Sequence, residues 1–461
     1  VNIKVAFTSK TLRFTKKQPI ALSPSELHAA KAPGREVYKP QLFPQMKTST
    51  HQAASHKSLR IGVLTSTYAR SSEDPQVPWM RELNKRLKDR VESLVVMGPS
   101  YKGLKSHQID GIQVERFRYA PAPIEALTHD EGAPNKTRRL GPKLLAIPYL
   151  LCGIIAVFTW CMKHRINVLH VHWPFPHTLW ALLPKYLLGV KVVSFSHGAE
   201  LAMARRSSKI RKVLSWLLRA SDERLANSSH TATEVLAVSG MTAKIIPYGT
   251  SIEVKPTEST ESTGPDLLLF CGRLVQRKGI DVLLRALPSI LKKRDVRLVI
   301  TGEGDCKDLW MKQTTELGLD NIVRFAGFVS NDELSALYQN CAAYVHPAIF
   351  DDRGDTEGLG VVLVEALAYQ RPVVASAVGG IVDVILHEKT GLLVPEKDPV
   401  ALAAAVLRVL EDKALARHLG AQGLEHVQQF FDWERIATST CDAWLEVIDQ
   451  SIVTKPLAHA A

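Results

Sequence analysis

The chain has 461 residues, 46% of them hydrophobic and 23% charged, which is too long for one ordinary core and suits two soluble α/β domains. Its net charge of +12 is unevenly placed, with ten Lys/Arg against two Glu in residues 1–58, so the body is only mildly basic and the charge does not argue for nucleic acid. Six cysteines (Cys152, Cys161, Cys271, Cys306, Cys341, Cys441) form neither a CxxC nor a metal-ligand spacing, which fits a reduced, cytoplasmic interior rather than a disulfide framework.

In chain order, residues 1–58 show no sustained period and no apolar run of the kind a secretory signal carries. The chain starts at Val1, and Met46 opens a natural-looking start, so residues 1–45 are expected to be an extension with little structure; a Ser/Lys-rich transit peptide is the less favoured account. RIGVLTSTY (60–68), the helical pattern of 78–90 and VESLVVM (91–97) read as strand, helix, strand. NVLHVHW (167–173), HTLWALLPKYLLG (177–189) and VKVVSFS (190–196) repeat that order, and the short strands ERLANSS and KIIPYG flank the helix HTATEVLAV. Together they predict a first doubly wound domain over 59–250. Residues 251–265 are rich in Pro, Ser, Thr and Glu and read as a linker. A second βα series over 266–432 runs from DLLLFCG to the helix DPVALAAAVLRVLED, and FFDWERIATSTCDAWLEVI (430–448) is a last amphipathic helix. Two such domains facing one another would hold a ligand in the cleft between them, at the carboxyl ends of their strands.

LLAIPYLLCGIIAVFTWCM (144–162) is 19 uncharged residues flanked by basic ones. Its length alone allows a membrane span. Strands before and after it belong to one sheet, however, which favours a core helix, with a membrane-touching surface as the alternative.

The stretch DTEGLGVVLVEAL (355–367) places Glu357 before Gly358, Leu359 and Gly360, where a helix is expected to start, and Glu365 one to two turns inside it. Unpaired N–H groups at a helix start carry partial positive charge, and glycine lets a phosphate or sugar approach them. A carboxylate accepts two hydroxyls at once. Two acids beside a diphosphate require cations, and CGRLVQRKG supplies Gly272, Arg273 and Lys278 in a loop at the end of a strand. The acidic run DDRGD (351–355) reads as a solvated loop. His170 and His172 alternate along one strand, and no third ligand suggests a metal site.

The pairing of GRLVQRKG with EGLGVVLVEAL resembles the retaining glycosyltransferases of family 4, with their two-domain GT-B fold. The resemblance runs over about residues 60–450 and includes TGEG (301–304), FAGFVS (325–330), PVVASAVGGIVDVI (372–385) and GLLV (391–394). It implies that Arg273 and Lys278 hold the diphosphate of a nucleotide sugar, Glu365 the ribose, Glu357 the transferred sugar, and backbone near Val329 the base. His197 and Gly198 of SFSHGAEL then lie at the cleft, His197 beside the reacting anomeric carbon. HVHW and TSTYAR resemble a subgroup acting on lipid-linked or polysaccharide acceptors, which puts His172, Gly198 and Arg70 on the acceptor side. The chain departs from the commoner family pattern in lacking Gly-Gly after the first strand. The implied reaction transfers a hexose from a UDP- or GDP-linked donor, with retention and without metal or other cofactor, and a helix at 433–450 crosses back to the first domain. Residues 144–162 and 204–212 are candidate contacts with the inner face of a membrane. The rival readings are a GT-B nucleotide-sugar epimerase and a non-catalytic scaffold that binds nucleotide sugars.

Overall fold

The computed structural model describes residues 58–72, 74, 76–129, 144–250 and 264–453; the N-terminal extension and nearly all of the linker lie outside them. The first half contains β1 (Arg60–Leu64), α1 (Pro78–Leu87), β2 (Ser93–Pro99), β3 (His107–Ile109), β4 (Ile112–Phe117), α2 (Ala146–Lys163), β5 (Val168–His172), α3 (Pro174–Leu188), β6 (Lys191–Ser196), α4 (Ala199–Arg206), α5 (Ser208–Ala220), β7 (Glu223–Ala226), α6 (Ser229–Ser239) and β8 (Lys244–Ile245). Its eight strands form one sheet in the order β3-β4-β2-β1-β5-β6-β7-β8, parallel except for β3 against β4. Every residue of β5 is buried, as a strand covered on both faces requires.

The second half contains β9 (Asp266–Cys271), α7 (Ile280–Leu291), β10 (Val296–Thr301), α8 (Lys307–Glu316), β11 (Val323–Gly327), α9 (Asn331–Asn340), β12 (Ala343–His346), α10 (Val361–Ala368), β13 (Val373–Ser376), α11 (Ile381–Val384), β14 (Leu392–Val394), α12 (Pro399–Glu411), α13 (Lys413–Phe430) and α14 (Trp433–Val453). Its six strands are parallel, in the order β11-β10-β9-β12-β13-β14. Strand order reverses beside β1 in the first sheet and beside β9 in the second, and a crevice opens at the carboxyl ends of strands at such points.

Local chemistry sets the helix starts. Ser228, Ser330 and Asp412 each accept a backbone N–H of the first turn of α6, α9 and α13. Ser207 does the same for α5 and breaks the run 204–212 into two helices rather than one continuous face. The helix α13 was not expected from its sequence, nor was the short β3. The final helix returns to the first domain: Trp444 Nε1 donates to His170 Nδ1 at 3.0 Å, and Trp433 Nε1 donates to the Thr250 carbonyl at 2.7 Å.

Helix α2 covers the apolar stretch. β4 before it and β5 after it lie in one sheet, which is incompatible with a membrane crossing between them. Its inner face buries Tyr149, Gly153, Val157 and Trp160 against α3, and a Cβ on Gly153 would lie 2.2 Å from the Trp180 ring, so only glycine allows this approach. Its outer face leaves Ile147, Leu151, Ile155 and Met162 exposed, and Leu144 just before it is exposed too.

Candidate active site

The loop after β9 and the loop after β12 meet at one carboxylate. Lys278 Nζ donates to Glu357 Oε2, and Arg277 Nη1 and His346 Nε2 reach the same oxygen, each at 3.3 Å. The Lys278 and Glu357 side chains are only 8% and 11% exposed. Burial alone would raise the Glu357 carboxyl, but Lys278 and Arg277 outweigh it and hold the pKa well below the usual carboxylate range. Burial, helped by the neighbouring Lys278, pushes His346 down to about 4, so its imidazole is neutral at pH 7. Arg273 is exposed at the mouth of the same loop and forms no ion pair among the described residues. Although its surface is open, the protein crowded around the guanidinium partly desolvates it, and this and the adjacent Arg277 lower its pKa, against Glu357 and Asp355.

This cluster includes two residues that the motif reading did not single out, Arg277 and His346. The acidic run is a surface loop with Asp352 and Arg353 exposed, as expected, and its last carboxylate leans toward the cations. Asp355 lies 3.7 Å from Arg277 Nε and 3.9 Å from Arg205 Nη2 of the first domain, and Asp352 accepts from Gln276 Nε2 at 2.8 Å. The loop folds onto the cations because Asp351 Oδ1 accepts the backbone N–H groups of Arg353 and Asp355, each at 2.9 Å.

Gly360 caps α10 with φ +89°, so the helix begins at Val361, and Glu365 comes one turn later. Glu365 is buried, and the Tyr338 hydroxyl of α9 donates to its Oε2 at 3.1 Å. The segment Glu357–Gly358 is held from behind by the AVGG turn. A Cβ on Gly379 would meet the Glu357 carbonyl at 2.2 Å, and one on Gly380 would meet that of Gly358 at 2.1 Å. Gly272 ends β9 beside Arg273, Leu359 is buried in the core, and half-buried Val329 follows β11 next to Phe328, which is 84% exposed.

From the first domain, His197 follows β6 and faces the same place. A Cβ on Gly358 would lie 3.3 Å from the His197 carbonyl oxygen and 3.3 Å from Asn227 Nδ2. Both ring nitrogens of His197 are taken by the protein: Nδ1 by the Tyr248 hydroxyl, and Nε2 by His172 Nδ1 at 3.0 Å. Burial holds both histidines well below 6.5 and therefore neutral, while burial and the Glu200 charge keep Tyr248 protonated. Trp79 stacks on Tyr248 at 4.2 Å. Thus the backbone of His197, rather than its ring, is what meets the second domain. His172 is buried as the second ring of this chain, so it offers no open surface to an acceptor. Gly198 caps α4, and Arg70 is engaged with Asp74 at 2.7 Å. Asn227 Oδ1 and Thr356 Oγ1 are buried here without a hydrogen-bond partner among the described residues, the signature of groups that a ligand or water satisfies.

Two family profiles match the chain, "Glycosyltransferase Family 4" over residues 79–254 and "Glycosyl transferases group 1" over 251–426. An uncharacterized glycosyltransferase of Methanocaldococcus jannaschii is 36% identical over 178 residues, which are 39% of this chain and 44% of that protein. A glycogen synthase of Mycobacterium tuberculosis is 30% identical over 61% of this chain and 69% of its own length. A phosphatidyl-myo-inositol mannosyltransferase of Mycobacterium leprae is 31% identical over 73% of this chain and 91% of its own. Among solved structures, sucrose-phosphate synthase from Thermosynechococcus elongatus superposes with a TM-score of 0.69 at 21% identity, covering 85% of this chain and 100% of that one. Anabaena HepE in complex with UDP and glucose gives 0.63 at 18% identity, covering 84% and 100%. At such identities these structures speak to the fold alone.

Proposed function

The chain belongs to the group 1 glycosyltransferases of family 4, built on the GT-B fold, and on that premise we propose that it moves a hexose from a UDP- or GDP-linked donor to an acceptor hydroxyl with retention and without a metal. The observation that carries this reading is the convergence of Lys278, Arg277 and His346 on Glu357, with Arg273 at its mouth and the His197 backbone opposite.

In the proposed reaction the diphosphate takes Arg273 and Lys278, the ribose takes Glu365, and the base lies against the backbone near Val329. Negative charge builds on the leaving diphosphate as the glycosidic bond breaks. Cations fixed in advance stabilise that growing charge more than they stabilise the ground state, and this lowers the barrier. Glu357, with Gly358, Leu359 and Gly360 behind it, receives the hexose. The acceptor attacks from the face the diphosphate leaves, and a phosphate oxygen takes its proton. That supports a role for His197 in shaping the site rather than in moving a proton, since its ring is neutral and fully engaged. Gly198 and Arg70 border the acceptor side, with His172 behind them as a support.

For the acceptor, the reading is a glycan or lipid-linked glycan at the cytoplasmic face of a membrane. The exposed apolar stripe of α2 supports it, continued on α3 by Leu183, Tyr186, Leu187 and Leu188. The exposed Lys209, Lys212, Val213 and Trp216 of α5 add a basic and aromatic face.

The test is incubation of the purified chain with UDP- and GDP-hexoses in EDTA, with and without lipid-linked and soluble glycan acceptors, followed by NMR of the product. Acceptor-dependent transfer with the donor's anomeric configuration is expected. An altered nucleotide sugar formed without acceptor, or transfer only on adding a divalent ion, would overturn the reading.

A further inference from the structure

We propose that Arg277 is a positioning residue for Glu357, the one that keeps this carboxylate in place and charged once a diphosphate has drawn Lys278 away. The inference rests on the reading of Lys278 as a diphosphate ligand and of Glu357 as the ligand of the transferred hexose.

Glu357 Oε2 is shared by Lys278 Nζ, Arg277 Nη1 at 3.3 Å and His346 Nε2 at 3.3 Å, while Oε1 takes no hydrogen bond among the described residues. The three partners are not equivalent. Lys278 is a point charge on a flexible stem, and its hold on the carboxylate loosens as the amine turns to the phosphates. His346 is neutral at pH 7, so it directs Oε2 without bringing a charge against it. Arg277 is charged and tied down. Its carbonyl accepts the Ile349 N–H at 2.9 Å, and its Nε lies 3.7 Å from Asp355 Oδ2, so the planar fork meets two carboxylates along different edges. The loop that carries it rests on the loop after β12: a Cβ on Gly279 would meet the Pro347 carbonyl at 2.0 Å. Charge matters here because the Glu357 side chain is only 11% exposed. Burial would raise its carboxyl, and Lys278 first and Arg277 second hold it down. The other groups around it supply no further cation at the carboxylate. His346 Nδ1 meets the Tyr344 hydroxyl at 3.3 Å, Tyr344 is kept protonated by burial, Arg273 forms no ion pair with Glu357, and Arg205 of the first domain stops at Asp355, 3.9 Å away. With Lys278 on the diphosphate, Arg277 is the cation that remains on Glu357, and Oε1 is left for the hexose.

The experiment takes the wild type, R277Q, R277K, K278M and E357Q. It measures the Kd of UDP and GDP, and the pH profiles of kcat and kcat/KM with the UDP- or GDP-hexose that the wild type turns over. The kcat profile reports the donor-bound enzyme and the kcat/KM profile the free one. In R277Q the nucleotide Kd should stay within about threefold of wild type and kcat should fall about 10- to 100-fold. The acid limb of its kcat should rise by about one pH unit or more, since an opposite charge beside a carboxylate lowers its pKa by about 1–3. The acid limb of kcat/KM should move less, because Lys278 still pairs with Glu357 in the free enzyme. R277K keeps the charge and should return the kcat limb to within about half a unit of wild type. If R277Q keeps kcat and its acid limb while K278M and E357Q lose turnover, the proposal fails and the reading of the site stands. If R277Q weakens nucleotide binding as much as K278M, Arg277 is itself a diphosphate ligand and the positioning role is refuted. It is refuted too if R277Q shifts both limbs equally, the mark of a general disturbance of the loop. If neither K278M nor E357Q lowers turnover, or the wild type turns over no such donor, both fall. Should R277Q prove too unstable to purify, wild-type crystals with bound UDP or GDP decide: Arg277 Nη1 closer than 3.3 Å to Glu357 after Lys278 has left supports the assignment, and Arg277 on the phosphates overturns it.

Discussion

Replacing Glu357 should separate donor binding from transfer, because in this structure its carboxylate sits where the diphosphate is expected to go. Lys278, Arg277 and His346 all converge on Oε2. A diphosphate has to draw Lys278 away from that oxygen. In Glu357→Gln the competing charge is gone, so the affinity for UDP or GDP should be unchanged or up to about tenfold tighter, one hydrogen bond to a charged group being worth about 1.5–3 kcal/mol. Lys278→Met removes the cation itself and should weaken nucleotide binding about 10- to 100-fold on the same scale. It should also cost stability. Truncating one partner of a buried pair costs about 3–5 kcal/mol, and the lower end applies here because Arg277 and His346 remain on the carboxylate. Transfer should fall by about 100-fold or more in both variants if both groups act in the transition state. Calorimetric titration reads the affinities, a coupled release assay reads the turnover, and thermal unfolding reads the stability. If Glu357→Gln weakened nucleotide binding as much as Lys278→Met, the carboxylate would be a nucleotide ligand rather than a competitor, and the reasoning would be wrong.

Three further outcomes are expected. Burial lowers the folded pKa of His346 to about 4, below its unfolded 6.5, so the stability it contributes is complete above pH 6.5 and is lost as pH falls toward 4; His346→Gln should flatten the decline in that window by up to about 3 kcal/mol, read from urea midpoints. On the membrane side, Leu151→Asp with Ile155→Asp should abolish sedimentation with anionic vesicles while turnover on a soluble acceptor is kept, since each exposed aliphatic side chain that enters an apolar phase contributes about 1.5–3 kcal/mol; unchanged sedimentation would remove α2 from the contact. The Asp383 carboxylate accepts Ser229 N at 2.6 Å and Ser229 Oγ at 2.5 Å across the cleft, so Asp383→Ala should loosen closure, raising the donor KM by about tenfold and enlarging the radius of gyration in solution scattering.

What the sequence revealed, and what it hid, follow from how each feature is encoded. Strands such as VLHVH and VVAS are short apolar runs with turn residues beside them, and Arg273, Lys278, Glu357 and Glu365 stand in compact local motifs. Both are readable without a third dimension. Arg277 had a local signal, its place beside Lys278, but its target lies 80 residues away. His346 and Tyr338 had none: each sits at the end of an element or within a helix and meets its carboxylate only through packing of that element on the sheet. Tyr248 had none either, and the motif that marked His172 did not reveal its partner; both decide what the His197 ring can do, from 51 and 25 residues away. Helix α13 was hidden for a different reason. Gly420 and Gly423 lower its helical signal, yet they are there because a Cβ would meet the Gln370 carbonyl at 2.2 Å and Leu367 Cδ2 at 2.6 Å. The acidic run 351–355 is solvated as read, but the approach of Asp355 to Arg205 and Arg277 was hidden because those cations come from two domains.

The most direct test is the crystal structure of this chain with bound UDP or GDP. The account predicts a diphosphate within hydrogen-bonding distance of Arg273 and Lys278, both ribose hydroxyls on Glu365, and Glu357 released from Lys278 toward the sugar subsite. A nucleotide bound elsewhere, or one seated in the cleft with Lys278 still closed on Glu357 and Arg273 turned to solvent, would contradict it.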